Sequence, residues 1–142
     1  MNWTRWLLAL SLAGCGAESP WSPALAWPDC APFDGAATRI VIPQSAEGDG
    51  ASQANLNFAL YAAPAAIRGE SWTISESSAN QLSVSLCPVG GPCLYATAGW
   101  VRVQSGSDGS DIRGQYRVTL SDGRVLTGRF SAPLQQRVQL CG

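Results

Sequence analysis

The residues of this chain best suited to covalent chemistry are its five cysteines: Cys15, Cys30, Cys87, Cys93 and Cys141. Cys15 stands apart, because it follows a short apolar run behind Arg5 and the free amine. That layout is typical of a secretory signal, and the run is too short to span a bilayer. The other four cysteines form an even set. In the oxidising compartment that such a signal implies, they are expected to pair as disulfides.

We predict that these four cysteines form the pairs Cys87–Cys93 and Cys30–Cys141. The first pair brackets residues 88–92, a turn-forming insert between two strand-like runs. The second pair would fasten the first residue of the domain to its last strand. Closing a loop on the order of 100 residues is worth about 4–5 kcal/mol in the chain-entropy model. A metal site of four cysteines is the alternative, although the spacings lack the paired CxxC signature.

Histidine is absent from the sequence, and every basic residue is an arginine. Without histidine, a Ser-His-Asp arrangement, a histidine-ligated zinc site and a histidine general base are excluded. The ten acidic residues are scattered, and nothing nominates two of them as the facing carboxylates of a glycosidase. We therefore predict a protein that is not an enzyme and has no catalytic residues, no metal and no cofactor.

Two acidic loops offer oxygen atoms of the kind that bind calcium. One is Ser107-Asp108-Gly109-Ser110-Asp111, which lacks the full spacing of an EF-hand loop. The other contains Glu47 and Asp49. Asp, Gly and Ser are also the ordinary residues of a long turn, so the sequence favours turns at both places.

The formal charge changes sign along the chain. Residues 15–100 carry two arginines and seven acidic residues, a formal charge of −5, whereas residues 101–142 carry six arginines and three aspartates, a formal charge of +3. Arg117 and Arg129 fall on the outer side of a predicted hairpin and mark a possible binding surface. Its partner would be anionic lipid headgroups, an acidic protein or an anionic glycan. The alternative is a solvated strand face whose arginines discourage edge pairing.

The elements that position these residues are predicted to be β-strands. From Cys30 onward, short runs alternate between apolar and polar residues and are bounded by Gly, Pro, Ser or Asp, the pattern of antiparallel strands with one wet face. We predict one all-β domain over residues 30–142, a small antiparallel sandwich or barrel of about seven to eight strands. Among its strands are Thr38–Ile42 stopped by Pro43, Leu56–Leu60, Trp72–Ile74, Leu82–Leu86, Val101–Val103 and a final run Arg137–Cys141.

The clearest hairpin covers Ile112–Phe130 and turns at Ser121-Asp122-Gly123. A three-residue loop with Gly123 left-handed separates apolar from polar side chains, which a two-residue loop does not. The predicted pairs on the inner face are Val118 with Leu126, Tyr116 with Gly128, and Gly114 with Phe130. On the outer face they are Arg117 with Thr127, and Gln115 with Arg129.

Residues 1–14 are predicted to be a signal peptide, and residues 15–29 a modified cysteine followed by a linker. Pro, Ala and Ser dominate residues 16–28, which predicts a flexible tether. Trp27 is expected to pack against the domain. A rival cleavage site at Ala24-Leu25-Ala26 would remove Cys15.

The run Leu12-Ala13-Gly14-Cys15 resembles the lipobox of bacterial lipoproteins. That resemblance implies diacylation of the Cys15 thiol, cleavage before Cys15 and acylation of the new amine. Gly16, in place of an aspartate, suggests the outer membrane. The hairpin pattern Gly114-x-Tyr116-x-Val118 with Asp122-Gly123 and Gly128-x-Phe130 resembles one in small, uncharacterised β-rich lipoproteins of Gram-negative bacteria. It implies a compact β domain and no known activity.

Together these features predict a cell-envelope lipoprotein held in the membrane by lipid on Cys15. The expected role is a non-catalytic binding or structural module, with an envelope protein or an anionic glycan as possible partner. The alternatives are a periplasmic inhibitor of a lysozyme or protease, and an enzyme that works without histidine. Residues 15–142 have a formal charge of −2, so a basic footprint for nucleic acid is absent.

Overall fold

A computed structural model describes residues 19–45, 53–78, 81–106, 109–138 and 140–141. Cys15 and the signal sequence lie outside these ranges. The strands are β1 (Trp21–Pro23), β2 (Leu25–Cys30), β3 (Ala36–Gln44), β4 (Ala54–Leu60), β5 (Ser71–Ile74), β6 (Leu82–Pro88), β7 (Leu94–Ser105), β8 (Asp111–Leu120) and β9 (Val125–Pro133). A short helix, α1 (Pro64–Ile67), and a 3₁₀ turn, Glu76–Ser78, complete the elements. None of the helices in the described ranges has the length and apolarity needed to cross a membrane.

The strands form one sheet in the order β1-β9-β8-β7-β6-β4-β3-β2, and β5 pairs with β7. All neighbours are antiparallel except β1 and β9, which run parallel. The two ends of the sheet meet where Gln135 N–H donates to the Ala26 carbonyl at 2.8 Å. The sheet is thereby nearly closed into a barrel. The prediction of an all-β sandwich or barrel is confirmed.

The barrel interior is filled by the apolar residues of the alternating strands. The Phe58 ring lies 5.4 Å from the Tyr116 ring and 6.2 Å from the Phe130 ring, centroid to centroid. Burial raises the pKa of the Tyr116 phenol, and a hydrogen bond with the Gln44 side chain offsets part of that rise. The largest fully buried side chains are Phe58, Phe130, Ile40, Ile42, Leu56, Leu60, Ile67, Ile112, Leu120, Val101, Val103 and Val118.

The register of the β8–β9 hairpin is the predicted one. Tyr116 pairs with Gly128, Gly114 with Phe130, and Gln115 with Arg129. Gly123 has φ +86°, and Leu120 N–H donates to the Arg124 carbonyl across the loop at 2.8 Å. Only this loop lets the apolar side chains of both strands share the inner face, so the energetics of burial select the turn.

Both predicted disulfides are present. Cys30 is bonded to Cys141, with Cα atoms 5.5 Å apart, and Cys87 to Cys93, with Cα atoms 4.1 Å apart. The first joins the end of β2 to the end of the chain. The second closes the connection between β6 and β7.

The prediction of a flexible linker is wrong from Trp21 onward, because those residues form β1 and β2. Ala24 and Ala26 are buried, and they alternate with Leu25 and Trp27 on the outer side. The segment β1–β2 pairs first with β9 and then with β3, and so closes the sheet at this point. Small side chains suit the inner side of this closure. Trp27, which was expected to pack against the domain from a linker, is instead part of β2, and the Arg137 guanidinium lies 4.6 Å from its ring centroid.

Two predicted strand ends are also corrected. β3 continues through Pro43 to Gln44, whereas its last pair with β2 is at Val41. Pro43 has no N–H to donate, and it is tolerated because β2 no longer lies beside β3 at this position. The described residues of the final run, Arg137–Val138 and Leu140–Cys141, form no strand. Val138 is 92% exposed and Leu140 is 90% exposed. β9 already has β8 on one side and the β1–β2 segment on the other, so its edges offer no place for this run.

Candidate functional site

Four arginines and two tryptophans share one outer surface of the barrel. We call it the arginine–tryptophan face and define it by Trp21, Trp100, Arg102, Arg113, Arg117 and Arg129. The inward positions of β7 and β8 are taken by apolar residues such as Val101, Ile112 and Tyr116. Because side chains alternate along a strand, the residues between them point outward.

The register brings these side chains together across four strands. Trp21 of β1 is opposite Arg129 of β9, Arg129 is opposite Gln115 of β8, and Gln115 is opposite Arg102 of β7. One row along, Trp100 is opposite Arg117. Neighbouring strands are about 4.8 Å apart, so the row from Trp21 to Arg102 spans about 15 Å. That length is enough to contact several anionic groups at once.

Guanidinium groups stack on both indole rings. Arg129 lies 4.1 Å from the Trp21 ring centroid, and Arg113 lies 5.7 Å from the same ring. Arg102 lies 5.8 Å from the Trp100 ring centroid. Each tryptophan remains 37% exposed. Cation–π contacts of this kind hold the cations in place, which lowers the entropy cost of binding.

The charges of this face are not matched by carboxylates on the same strands. The residues of β1, β5, β7, β8 and β9 include one acid, Asp111, at the start of β8. Within the described residues the salt bridges are Arg39–Asp29 at 2.8 Å and Arg124–Asp122 at 2.7 Å, both away from this face. Arg102 Nε donates to Ser71 Oγ at 3.3 Å. Arg102 and Arg117 are exposed, so the face presents these two cations to the solvent.

Arg117 and Arg129, the two residues predicted as a binding surface, line one shallow depression of about 360 Å³. Trp100, Gln115 and Ser19 also line it. The structure thus brings both predicted residues together.

The binding surface predicted from the sequence did not include four residues of the arginine–tryptophan face. Arg102 and Trp100 flank Val101 in a predicted strand, so extending the alternation by one residue on each side places both on the outer surface. Arg113 could have been found in the same way from Ile112. Trp21 lies in the predicted linker, where no alternation of apolar and polar residues indicates an outer surface.

The described strands on the opposite side of the barrel carry little charge. The strands β2, β3, β4 and β6 contain two charged residues, Asp29 and Arg39, which pair with each other. We call the outward residues of β4 and β6 the neutral face; they include Asn55, Asn57, Ser83 and Ser85. The positive charge of the barrel is therefore one-sided.

A second depression, of about 400 Å³, lies where β6 and β7 separate. These strands pair at Ser85–Tyr95 and Leu86–Leu94, after which β7 pairs with β5. Tyr61, Tyr95 and Glu76 line the opening together with apolar core residues. The sequence did not indicate this depression.

The calcium candidates are only partly described. Ser107, Asp108, Glu47 and Asp49 lie outside the described residues. Asp111 begins β8, and its Oδ1 accepts a hydrogen bond from Ser110 Oγ at 3.4 Å. In the part of the chain that the structure covers, no three His, Cys, Asp or Glu residues are grouped so as to hold a metal ion.

Compared with the models of known protein families, with curated proteins and with solved structures, the chain matches none.

Proposed function

We propose that this protein is a membrane-anchored lipoprotein of the cell envelope whose barrel is a non-catalytic binding module. In this proposal the arginine–tryptophan face binds an anionic partner, and lipid on Cys15 holds the barrel at the membrane. The observation that carries the proposal is the one-sided grouping of four arginines, with a neutral face on the opposite side of the barrel.

The chemistry of this face suits binding rather than catalysis. A guanidinium group stays charged at all physiological pH values and offers five N–H donors and no acceptor. It can engage phosphate, sulfate or carboxylate oxygens with two parallel hydrogen bonds, but it does not serve as a nucleophile or a general base. An indole adds apolar contact area at low entropic cost.

The anchoring half of the proposal is tested by replacing Cys15. Wild-type protein should incorporate labelled palmitate and sediment with membranes. Cys15→Ala should lose the label, and should either be released from the membrane or keep its signal peptide. Cys93→Ala, the matched control, should keep both label and sedimentation. A Cys15→Ala protein that is still anchored and processed normally would contradict the anchor.

The binding half is tested with a polyanion of defined chemistry. The mature protein, in detergent, is loaded on a column of sulfated polysaccharide and eluted with salt. Removing two exposed cations in the variant Arg102→Gln/Arg117→Gln is expected to lower the eluting salt concentration clearly, since this attraction is electrostatic and screened by salt.

The control for this column is Arg124→Gln/Arg137→Gln, which removes the same formal charge from outside the arginine–tryptophan face. It should elute close to wild type. Equal shifts in the two double variants would mean that overall charge, and not this face, governs binding.

A further inference from the structure

Ser19, which lies two residues before β1, is at the arginine–tryptophan face. Ser19 lines the same depression as Arg117 and Arg129, and Trp21 follows it on β1. Cys15 precedes Ser19 by four residues. A fully extended chain covers at most about 3.6 Å per residue, so the Cα atoms of Cys15 and Ser19 are at most about 14 Å apart.

We propose that the arginine–tryptophan face docks on the anionic headgroups of the same membrane that holds the Cys15 anchor. The barrel then lies with β1, β9, β8 and β7 against the membrane and its neutral face turned away. This inference rests on the proposed function, since it takes from it the lipid on Cys15 and the binding of anions by this face.

The length of the connection determines which side of the barrel meets the membrane. An acylated cysteine sits at the depth of the headgroups, so the depression beside Ser19 stays within about 14 Å of them. The two walls of a packed β core are about 10 Å apart between backbones, before the side chains on both outer surfaces are added. Four residues are too few to lead around the barrel to the neutral face. The face nearest the anchor is the arginine–tryptophan face.

Charge and side-chain chemistry agree with this orientation. Each arginine near an anionic leaflet strengthens attraction by about fivefold, and Arg102 and Arg117 are both exposed. The phosphate of a headgroup accepts the paired hydrogen bonds of a guanidinium. Trp21 and Trp100 match the preference of indoles for the membrane–water interface. An anionic lipid surface can therefore contact both the arginines and the tryptophans of the face.

Because the barrel is anchored, a weak attraction between its arginines and the headgroups is sufficient for docking. The anchor turns docking into an intramolecular step, for which short flexible linkers give effective concentrations in the millimolar range. The maximum reach of about 14 Å is less than twice the Debye length of about 8 Å at physiological salt. Any conformation of the connection shorter than this maximum brings the arginines closer to the leaflet, where its field is less screened.

The test uses mature lipidated protein in vesicles that contain a lipid with a photoactivatable headgroup. One set of vesicles is phosphatidylcholine, and the other contains about one third phosphatidylglycerol, which supplies the negative surface potential. After illumination, cross-linked peptides are mapped and quantified. On the anionic vesicles, cross-links should fall within residues 100–117 and 127–131, with residues 55–57 and 83–85 unlabelled. Salt near 1 M, where the Debye length is about 3 Å, should remove most of them.

The variant Arg102→Gln/Arg117→Gln should lower the ratio of docked to undocked protein by about 25-fold on anionic vesicles, about fivefold for each arginine. The control Arg124→Gln/Arg137→Gln should cross-link like wild type. Circular dichroism of each variant checks that the β-fold is retained, so that lost cross-linking reports docking.

Four outcomes overturn the inference. Mass spectrometry that finds Cys15 without lipid overturns it together with the anchor. Cross-links spread equally over both sides of the barrel, or independent of phosphatidylglycerol, overturn the inference alone. If the polysaccharide column still depends on Arg102 and Arg117 while headgroup cross-links are absent, the face binds a soluble polyanion and the proposed function survives without membrane docking.

Discussion

Replacing both Cys30 and Cys141 by serine is expected to lower the free energy of unfolding by about 5 kcal/mol. The disulfide joins residues 111 positions apart, and in the chain-entropy model a loop of that length restricts the unfolded chain strongly. Small domains have free energies of unfolding of about 5–15 kcal/mol, so the folded variant should be only marginally stable at room temperature. The measurement is denaturant unfolding of oxidised wild type and of the double variant, followed by circular dichroism.

The second disulfide provides the matched control. Cys87 and Cys93 are six positions apart, so the same model gives about 2 kcal/mol for Cys87→Ser/Cys93→Ser. Equal losses in the two double variants would contradict the loop-length account and would point to local strain or packing instead.

The Cys30–Cys141 pair also secures the segment that closes the barrel. Cys30 ends β2, and β2 continues from β1, which pairs with β9 through only three residues. Those contacts bring together positions more than 100 residues apart, as in the pairing of Trp21 with Arg129. A crosslink that restricts the unfolded chain over this distance reduces the entropy cost of the closure.

The β8–β9 hairpin could be predicted residue by residue, because its register depends on local facts. Two short strands and one turn must place Tyr116, Val118 and Phe130 on one face, and a single loop type does so. The outward position of Arg117 and Arg129 followed from the same argument. The predictable part of the candidate site is therefore the part that one hairpin contains.

The remainder of the site depended on contacts that no local pattern reveals. Trp21 joins the face because β1 pairs with β9 in parallel, at the other end of the chain. Residues 21–28 contain three prolines or serines that are typical of linkers, whereas Ala24 and Ala26 are too small to produce a visible apolar alternation. In the final run, Val138 and Leu140 do alternate, but the barrel has no edge beside β9 for them to pair with. The residue pattern of a segment indicates whether it can form a strand. Whether the strand forms depends on an unpaired sheet edge being available to it.

A single added methyl group at Gly114 is expected to cost about 2–3 kcal/mol of stability. A Cβ at this position would lie 2.7 Å from the Arg102 carbonyl oxygen and closer still to the Phe130 ring. Phe130 is fully buried and the carbonyl belongs to β7, so neither neighbour can withdraw without moving a strand. Overpacking of this kind typically costs about 1–3 kcal/mol. Denaturant unfolding of Gly114→Ala measures the loss.

Gly123→Ala separates steric crowding from backbone strain. Gly123 has φ +86° in the hairpin turn, and nothing lies within 4 Å of a Cβ built there. Its substitution should cost only about 1 kcal/mol, the penalty for a left-handed conformation without a clash. A loss at Gly123 equal to that at Gly114 would mean that crowding against Phe130 is relieved at little cost.

The Gly114 variant also tests how the core determines the spacing of the arginines. Gly114 lies beneath the arginine–tryptophan face, and relief of the clash would push β8 away from the Arg102 carbonyl of β7. The distance between Arg102 and Arg117 would then change although no charge is lost. We expect folded Gly114→Ala to elute from the sulfated polysaccharide at lower salt than wild type, and Gly123→Ala to elute with wild type. If Gly114→Ala were less stable yet eluted normally, binding would depend on the number of arginines and not on the register that places them.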